Sequence, residues 1–96
     1  MYARVVTGQT QRGQMGEFLS RWRDQVLPAL QQEQGFRHAV VLTEPNTDQF
    51  VVMALWETET DARASETGFV QHQLPMVAPL LIGQPTSEGY NVSLQV

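Results

Sequence analysis

The sequence predicts an α+β domain: a four-stranded antiparallel sheet with two helical segments on one face. Three observations carry that expectation. Phe50-Val51-Val52-Met53-Ala54-Leu55-Trp56 is an unbroken apolar run, too short for an ordinary helix and suited to a strand buried on both faces. Helically spaced apolar residues precede it from Gln14 to Gln34 and follow it from Thr58 to Leu81. Strand-like stretches stand near both ends of the chain and just before the run. The resulting order is strand, helix, strand, strand, helix, strand, the ferredoxin-like or split βαβ arrangement. The 96 residues make one domain, 1–96.

Tyr2 to Gly8 is the first strand, with Val5, Val6 and Thr7 favouring extended backbone. Gln9 to Gly13 turns the chain. In the first helix, Met15, Phe18, Leu19, Trp22, Val26, Ala29 and Leu30 follow steps of three and four and share one face. Glu17 and Arg21 are four apart in the favourable order, worth ~0.2–0.5 kcal/mol. Pro28 lacks an N–H, which predicts a kink between Asp24 and Pro28. Gly35 stands where a left-handed cap is wanted.

Phe36 to Thr43 is the second strand and about Gln49 to Glu57 the third, joined as a hairpin by Glu44 to Asp48. The expected register puts Phe36, His38, Val40 and Leu42 on the helix face with Phe50, Val52, Ala54 and Trp56. Arg37, Ala39, Val41 and Thr43 then share the open face with Val51, Met53, Leu55 and Glu57, and Arg37 meets Glu57. Thr58 is an N-cap, with Glu59 and Asp61 in the first turn. That helix is expected to stop near Gly68. Beyond it, Val70, Leu74, Val77 and Leu81 form one line, and Phe69, Gln73, Met76 and Leu80 another. Pro75 and Pro79 forbid one straight helix. The last strand alternates through Tyr90, Val92, Leu94 and Val96.

Two helices cover only one face of such a sheet. The open face, a plane of roughly 350 Å² before side-chain relief, carries Val41, Val51, Met53 and Leu55. An exposed apolar patch of that order marks an interaction surface. The economical cover is a second copy, giving a homodimer packed sheet on sheet.

Composition excludes several functions. Net charge is −4 and the six basic residues, all arginine, are scattered, so no phosphate-tracking stripe exists and no nucleic-acid partner is expected. No cysteine is present, which removes thiolate chemistry and disulfides. No apolar run is long enough to span a membrane. Met1 to Val6 lacks the pattern of a signal peptide, so a cytoplasmic location is expected. Two histidines at long spacing make no metal site. Gly13-Gln14-Met15-Gly16 lacks the lysine of a phosphate loop.

Ala54-Leu55-Trp56-Glu57-Thr58, a strand running straight into an acidic helix start, resembles the antibiotic biosynthesis monooxygenase family. So does Val26-Leu27-Pro28-Ala29-Leu30 leading through Gly35-Phe36 into a strand. The resemblance covers essentially the whole chain. It implies the dimeric α+β barrel fold, a pocket between sheet and helices in each subunit, and cofactor-independent oxidation of a small aromatic or quinol-type compound. Trp56 matches the family tryptophan at the end of the third strand. It is a candidate to stack on an aromatic ligand, or else a core anchor. Phe36, Trp22, Phe69 and Met76 are further pocket candidates for a small apolar or aromatic ligand. Haem-degrading members use an asparagine in the first strand and a histidine on the second helix. Val6 stands at the first position and His72 lies farther along than the second, so neither haem nor another cofactor is expected.

The resemblance also implies a polar group that takes a proton from a phenolic substrate, leaving a carbanion that reacts with dioxygen. His72, His38 and Tyr90 are the candidates, and Arg4 is a fourth type near enough to assist. Each has a plainer reading: His72 as a surface or half-buried helix residue, His38 as a neutral buried histidine, Arg4 as the partner of an acid across the sheet. Two functions from different classes stay open, an oxygenase and a non-catalytic binding or sensing module. An unrelated activity on the same fold is a third.

Overall fold

The sheet grows outward from the apolar run. The computed structural model describes residues 1–96. β3 (Gln49–Trp56) lies between β1 (Tyr2–Gln9) and β2 (Phe36–Glu44), and β4 (Thr86–Asn91) pairs with the far side of β1. The order is β2-β3-β1-β4, antiparallel throughout, a ferredoxin-like α+β fold. On β3, Phe50, Val52, Ala54 and Trp56 are buried under the helices, and Val51, Met53 and Leu55 are half-buried on the open face.

β2 departs from the expected faces. Phe36 lies opposite Trp56 but His38 lies opposite Leu55, so the register shifts at Arg37. Beyond that bulge Ala39 and Val41 pair with Ala54 and Val52 and pack against the core. His38, Val40 and Leu42 share the open face with Leu55, Met53 and Val51. The expectations that His38 faces the helices and Val41 the open face are therefore corrected. One inserted residue sends every later side chain to the opposite face, and a strand apolar on both faces carries no alternation that would reveal it. Arg37 still pairs with Glu57.

Each helical segment is a chain of turns interrupted by a proline. The first runs as α1 (Met15–Arg21), a π turn at Trp22–Val26 and α2 (Leu27–Gln31). Pro28 has no N–H for the Asp24 carbonyl, and its ring collides with that carbonyl in a regular helix. The wider turn relieves both problems, and the Leu27 N–H bonds the Trp22 carbonyl instead. The second runs as α3 (Glu59–Gly68), a π turn at Phe69–Gln73, α4 (Leu74–Val77) and a 3₁₀ turn at Ala78–Leu80. Pro75 does here what Pro28 does there, and the Leu74 N–H bonds the Phe69 carbonyl. The α-helix ends at Gly68 as expected, but the chain stays helical there, with φ at −62°, and continues into the π turn. A glycine costs a helix only about 1 kcal/mol, less than burial of Val77 and Leu80 beyond it returns. Thr58 caps α3 through its Oγ, which accepts from the Asp61 N–H at 3.0 Å. Arg21 joins the limbs, binding Glu17 at 2.9 Å and donating to the Met76 carbonyl at 3.1 Å.

The last strand begins and ends earlier than the alternation suggested. β4 pairs Thr86 with Thr7 and Asn91 with Tyr2, and the Val92 N–H reaches the Met1 carbonyl at 2.9 Å. Leu94 and Val96, past the last paired residue, are exposed. Pairing partners, not apolar pattern, set the length of this edge strand.

Gly35 joins α2 to β2 at φ +81°, and a Cβ there meets Asp61 Oδ2 at 2.2 Å. The fold therefore expects Gly35→Ala to cost roughly 2 kcal/mol from the left-handed backbone alone. Thermal circular dichroism should show a fall of roughly 8–16 °C in Tm. Gly16→Ala, whose Cβ meets nothing within 4 Å, should hold or raise Tm.

Candidate functional site

A cavity of about 230 Å³ lies between the helix face of the sheet and both helical limbs. Its position follows from side-chain size. Of the residues that β4 turns toward the helices, Gly89 is covered by the Tyr2 ring, and Ser87, paired with Val6 of β1, is small and lines the cavity. The limbs lean on bulky β1 and β3 residues and leave space over the β4 edge. Both π turns contribute walls: Trp22 and Val26 from one, Phe69, Val70 and Gln73 from the other. Such turns recur at functional sites because they displace a short stretch of helix surface.

Fourteen of the twenty-one lining residues are hydrophobic, five of them aromatic, so the wall is mostly apolar. Phe18 and Phe50 stack at 4.4 Å between centroids, and Trp56 is 2 % exposed. The line Val70, Leu74, Val77 and Leu81, expected on one helix face, forms one wall. The mouth lies at the β4 edge, where the lining residues Glu66, Val70, Gln84 and Ser87 are exposed. Arg4 crosses it, its guanidinium 2.7 Å from Glu66 Oε1 and 3.5 Å from Ser87 Oγ. Arg4 is acid-paired as expected, but its acid comes from α3 and not from across the sheet. Half of Glu66 is in water, so the pair contributes at most about 1 kcal/mol. Its effect is to place a fixed cation at the rim of an apolar chamber.

Of the expected pocket residues, Trp56, Trp22 and Phe69 line this cavity. Phe36 lies behind the wall, meeting Trp56 edge-on at 5.5 Å, and Met76 packs beside the core. The structure does not bring His72, His38 and Tyr90 together. His72 is exposed on the second π turn. His38 and Tyr90 are exposed on the open face of the sheet, the latter opposite Ala3. Tyr90 instead donates to Glu88, and that hydrogen bond, with the carboxylate's charge, holds its phenol above the ordinary value. No histidine, tyrosine or cysteine lines the cavity. No group of three His, Cys, Asp or Glu could hold a metal ion, and no helix is long and apolar enough to cross a membrane.

Gln73 was not singled out by the sequence. It is 3 % exposed, lines the cavity, and its Oε1 has no hydrogen-bond partner. A buried unpaired acceptor of this kind costs about 1–3 kcal/mol. The available signal was one glutamine in the otherwise apolar line Phe69, Gln73, Met76, Leu80.

A family model described as antibiotic biosynthesis monooxygenase matches residues 1–74. Nothing among curated protein sequences matches the chain. Solved structures share the fold at low identity. An antibiotic biosynthesis monooxygenase assigned in Nitrosomonas europaea has a TM-score of 0.80 at 20 % identity, over 98 % of this chain and 100 % of that one. A monooxygenase of Streptomyces coelicolor, solved in complex with nanaomycin D, has a TM-score of 0.80 at 17 % identity, over 99 % and 89 %. SnoaB of Streptomyces nogalater, described as a cofactor-independent oxygenase, has a TM-score of 0.77 at 19 % identity, over 99 % and 96 %.

The aromatic walls make a spectroscopic prediction. With Trp22→Phe or Trp56→Phe leaving one indole in place, each variant should emit well to the blue of its urea-unfolded form. Water-like emission from either folded variant would show that wall open to solvent.

Proposed function

The chain belongs to the antibiotic biosynthesis monooxygenase family, and from that premise we propose that its cavity binds and oxidises a small aromatic or quinol-type compound with dioxygen. The observation that carries this reading is the enclosed aromatic chamber with one cation, Arg4, at its rim. The ring lies against Trp56, Trp22 and Phe69, out of water. Arg4 favours the deprotonated phenol, whose proton leaves to solvent at the exposed mouth beside Glu66. The electron-rich ring then reduces dioxygen directly. One oxygen atom becomes a ring carbonyl in place of two hydrogens, and the other leaves as water. Atoms and electrons balance with the substrate as sole reductant, so the reaction is written without a cofactor.

A second reading, a binding or sensing module of the same fold, is favoured by the absence of histidine, tyrosine and cysteine from the cavity wall. Oxygen-electrode traces with 1-naphthol separate the two. The oxygenase predicts uptake above autoxidation, one dioxygen per quinone formed, unchanged by a chelator and lowered at least about tenfold by Trp56→Leu. Saturable binding without added uptake supports the module.

We also propose that the open sheet face pairs with a second copy of the chain. Val40, Leu42, Val51, Met53 and Leu55 form a continuous apolar strip there, and a twofold partner offers the same strip in return. The protein is expected to sediment as a dimer, with Met53→Glu shifting it to a monomer that keeps its helical circular dichroism. A parent protein that sediments as a monomer at micromolar concentration overturns this.

A further inference from the structure

The cavity contains one polar group that the fold leaves unused. Among the polar lining residues, Arg4 is engaged by Glu66 and Ser87. The Ser65 hydroxyl donates to the Ala62 carbonyl at 2.7 Å, and Gln84 is exposed at the mouth. Gln73 is different. It is 3 % exposed and its Oε1 has no donor. Its position is fixed, because it closes the π turn that Pro75 imposes and stands between Phe69 and Val77 on the cavity wall. No side-chain hydrogen bond holds its carboxamide. The terminal torsion of glutamine is broad and two-fold, and rotating it breaks no hydrogen bond at Oε1. A buried acceptor without a donor is kept in a fold at a cost, and a ligand that brings the donor removes that cost.

We infer that Gln73 is the residue by which the cavity selects hydroxylated rings, its Oε1 accepting a hydrogen bond from the O–H of the neutral ligand on binding, before the phenol gives up its proton. This rests on the aromatic-binding reading above and names the ligand class more closely. An engineered cavity of about 150 Å³ holds benzene, so the volume of about 230 Å³ suits one ring or two fused rings. The hydroxyl must lie on the ring edge presented to the second π turn. A site built to pair with a hydroxyl rejects the analogue that lacks it, since the buried polar group is then left unpaired again.

The test is equilibrium dialysis of the full chain against 1-naphthol and its near-isostere 1-methylnaphthalene. The parent protein should hold 1-naphthol more tightly, and Gln73→Leu should reduce the ratio of the two dissociation constants by at least about tenfold. Gln73→Met, which keeps the side-chain length, should do the same and guards against a packing defect in the leucine variant. Without ligand both variants should melt above the parent, because each removes the unpaired acceptor. A ratio within about threefold of the parent in both folded variants overturns the assignment of Gln73 while leaving the aromatic pocket intact. Failure of the parent to bind either ring overturns the pocket reading and this inference with it.

Discussion

A proline inside a helix has no N–H to give, and its ring collides with the carbonyl four residues back. This chain meets that constraint twice, at Pro28 and Pro75, and resolves it the same way each time. A five-residue π turn ends one residue before each Leu-Pro pair, and the leucine N–H bonds the carbonyl five residues back. The two limbs are therefore built alike and lie on the same face of the sheet. Residues of the widened turns, Trp22 and Val26 on one limb and Phe69, Val70 and Gln73 on the other, become cavity wall. The site is a product of how the helices accommodate proline as much as of which residues they carry.

The sheet supplies the complementary half. β1 and β3 hold the centre and present Val6, Phe50, Val52, Ala54 and Trp56 to the limbs. β4 presents Ser87, too small to fill the gap above it, while the Tyr2 ring covers Gly89. An apolar chamber at one edge is the consequence. The cation needed to make it more than a packing defect comes from Arg4, held at the rim by Glu66 of α3. Chemistry in such a chamber depends on excluding water and placing charge, and both features here arise from ordinary side-chain volume and one ion pair.

Much of the fold was legible in the residues. The unbroken run Phe50 to Trp56 announced a strand buried on both faces, and β3 is that strand. Helical spacing located both limbs, and Thr58, Gly35 and the Arg37–Glu57 pair act as their chemistry suggests. Of the cavity wall, Trp22, Trp56 and Phe69 were legible because large aromatics at helix- and strand-face positions end up where elements meet. The polar candidates were not. His38 was assigned a face by a register that one bulged residue reverses, and Tyr90 lies on the side of β4 turned away from the limbs. Gln73 was passed over because a single polar residue in an apolar stripe has no meaning until its surroundings are known.

Local sequence determined the elements, their order and their apolar faces, because periodicity, caps and prolines act within a few residues of themselves. Tertiary structure decided what depends on two distant segments at once. Pairing with β1 ended β4 at Asn91, although apolar alternation continued to Val96. A bulge fitted β2 to β3 and moved His38 and Val40 onto the open face. The cavity exists only where helix, helix and sheet edge fail to touch, and an absence of contact leaves no mark on any one stretch of chain.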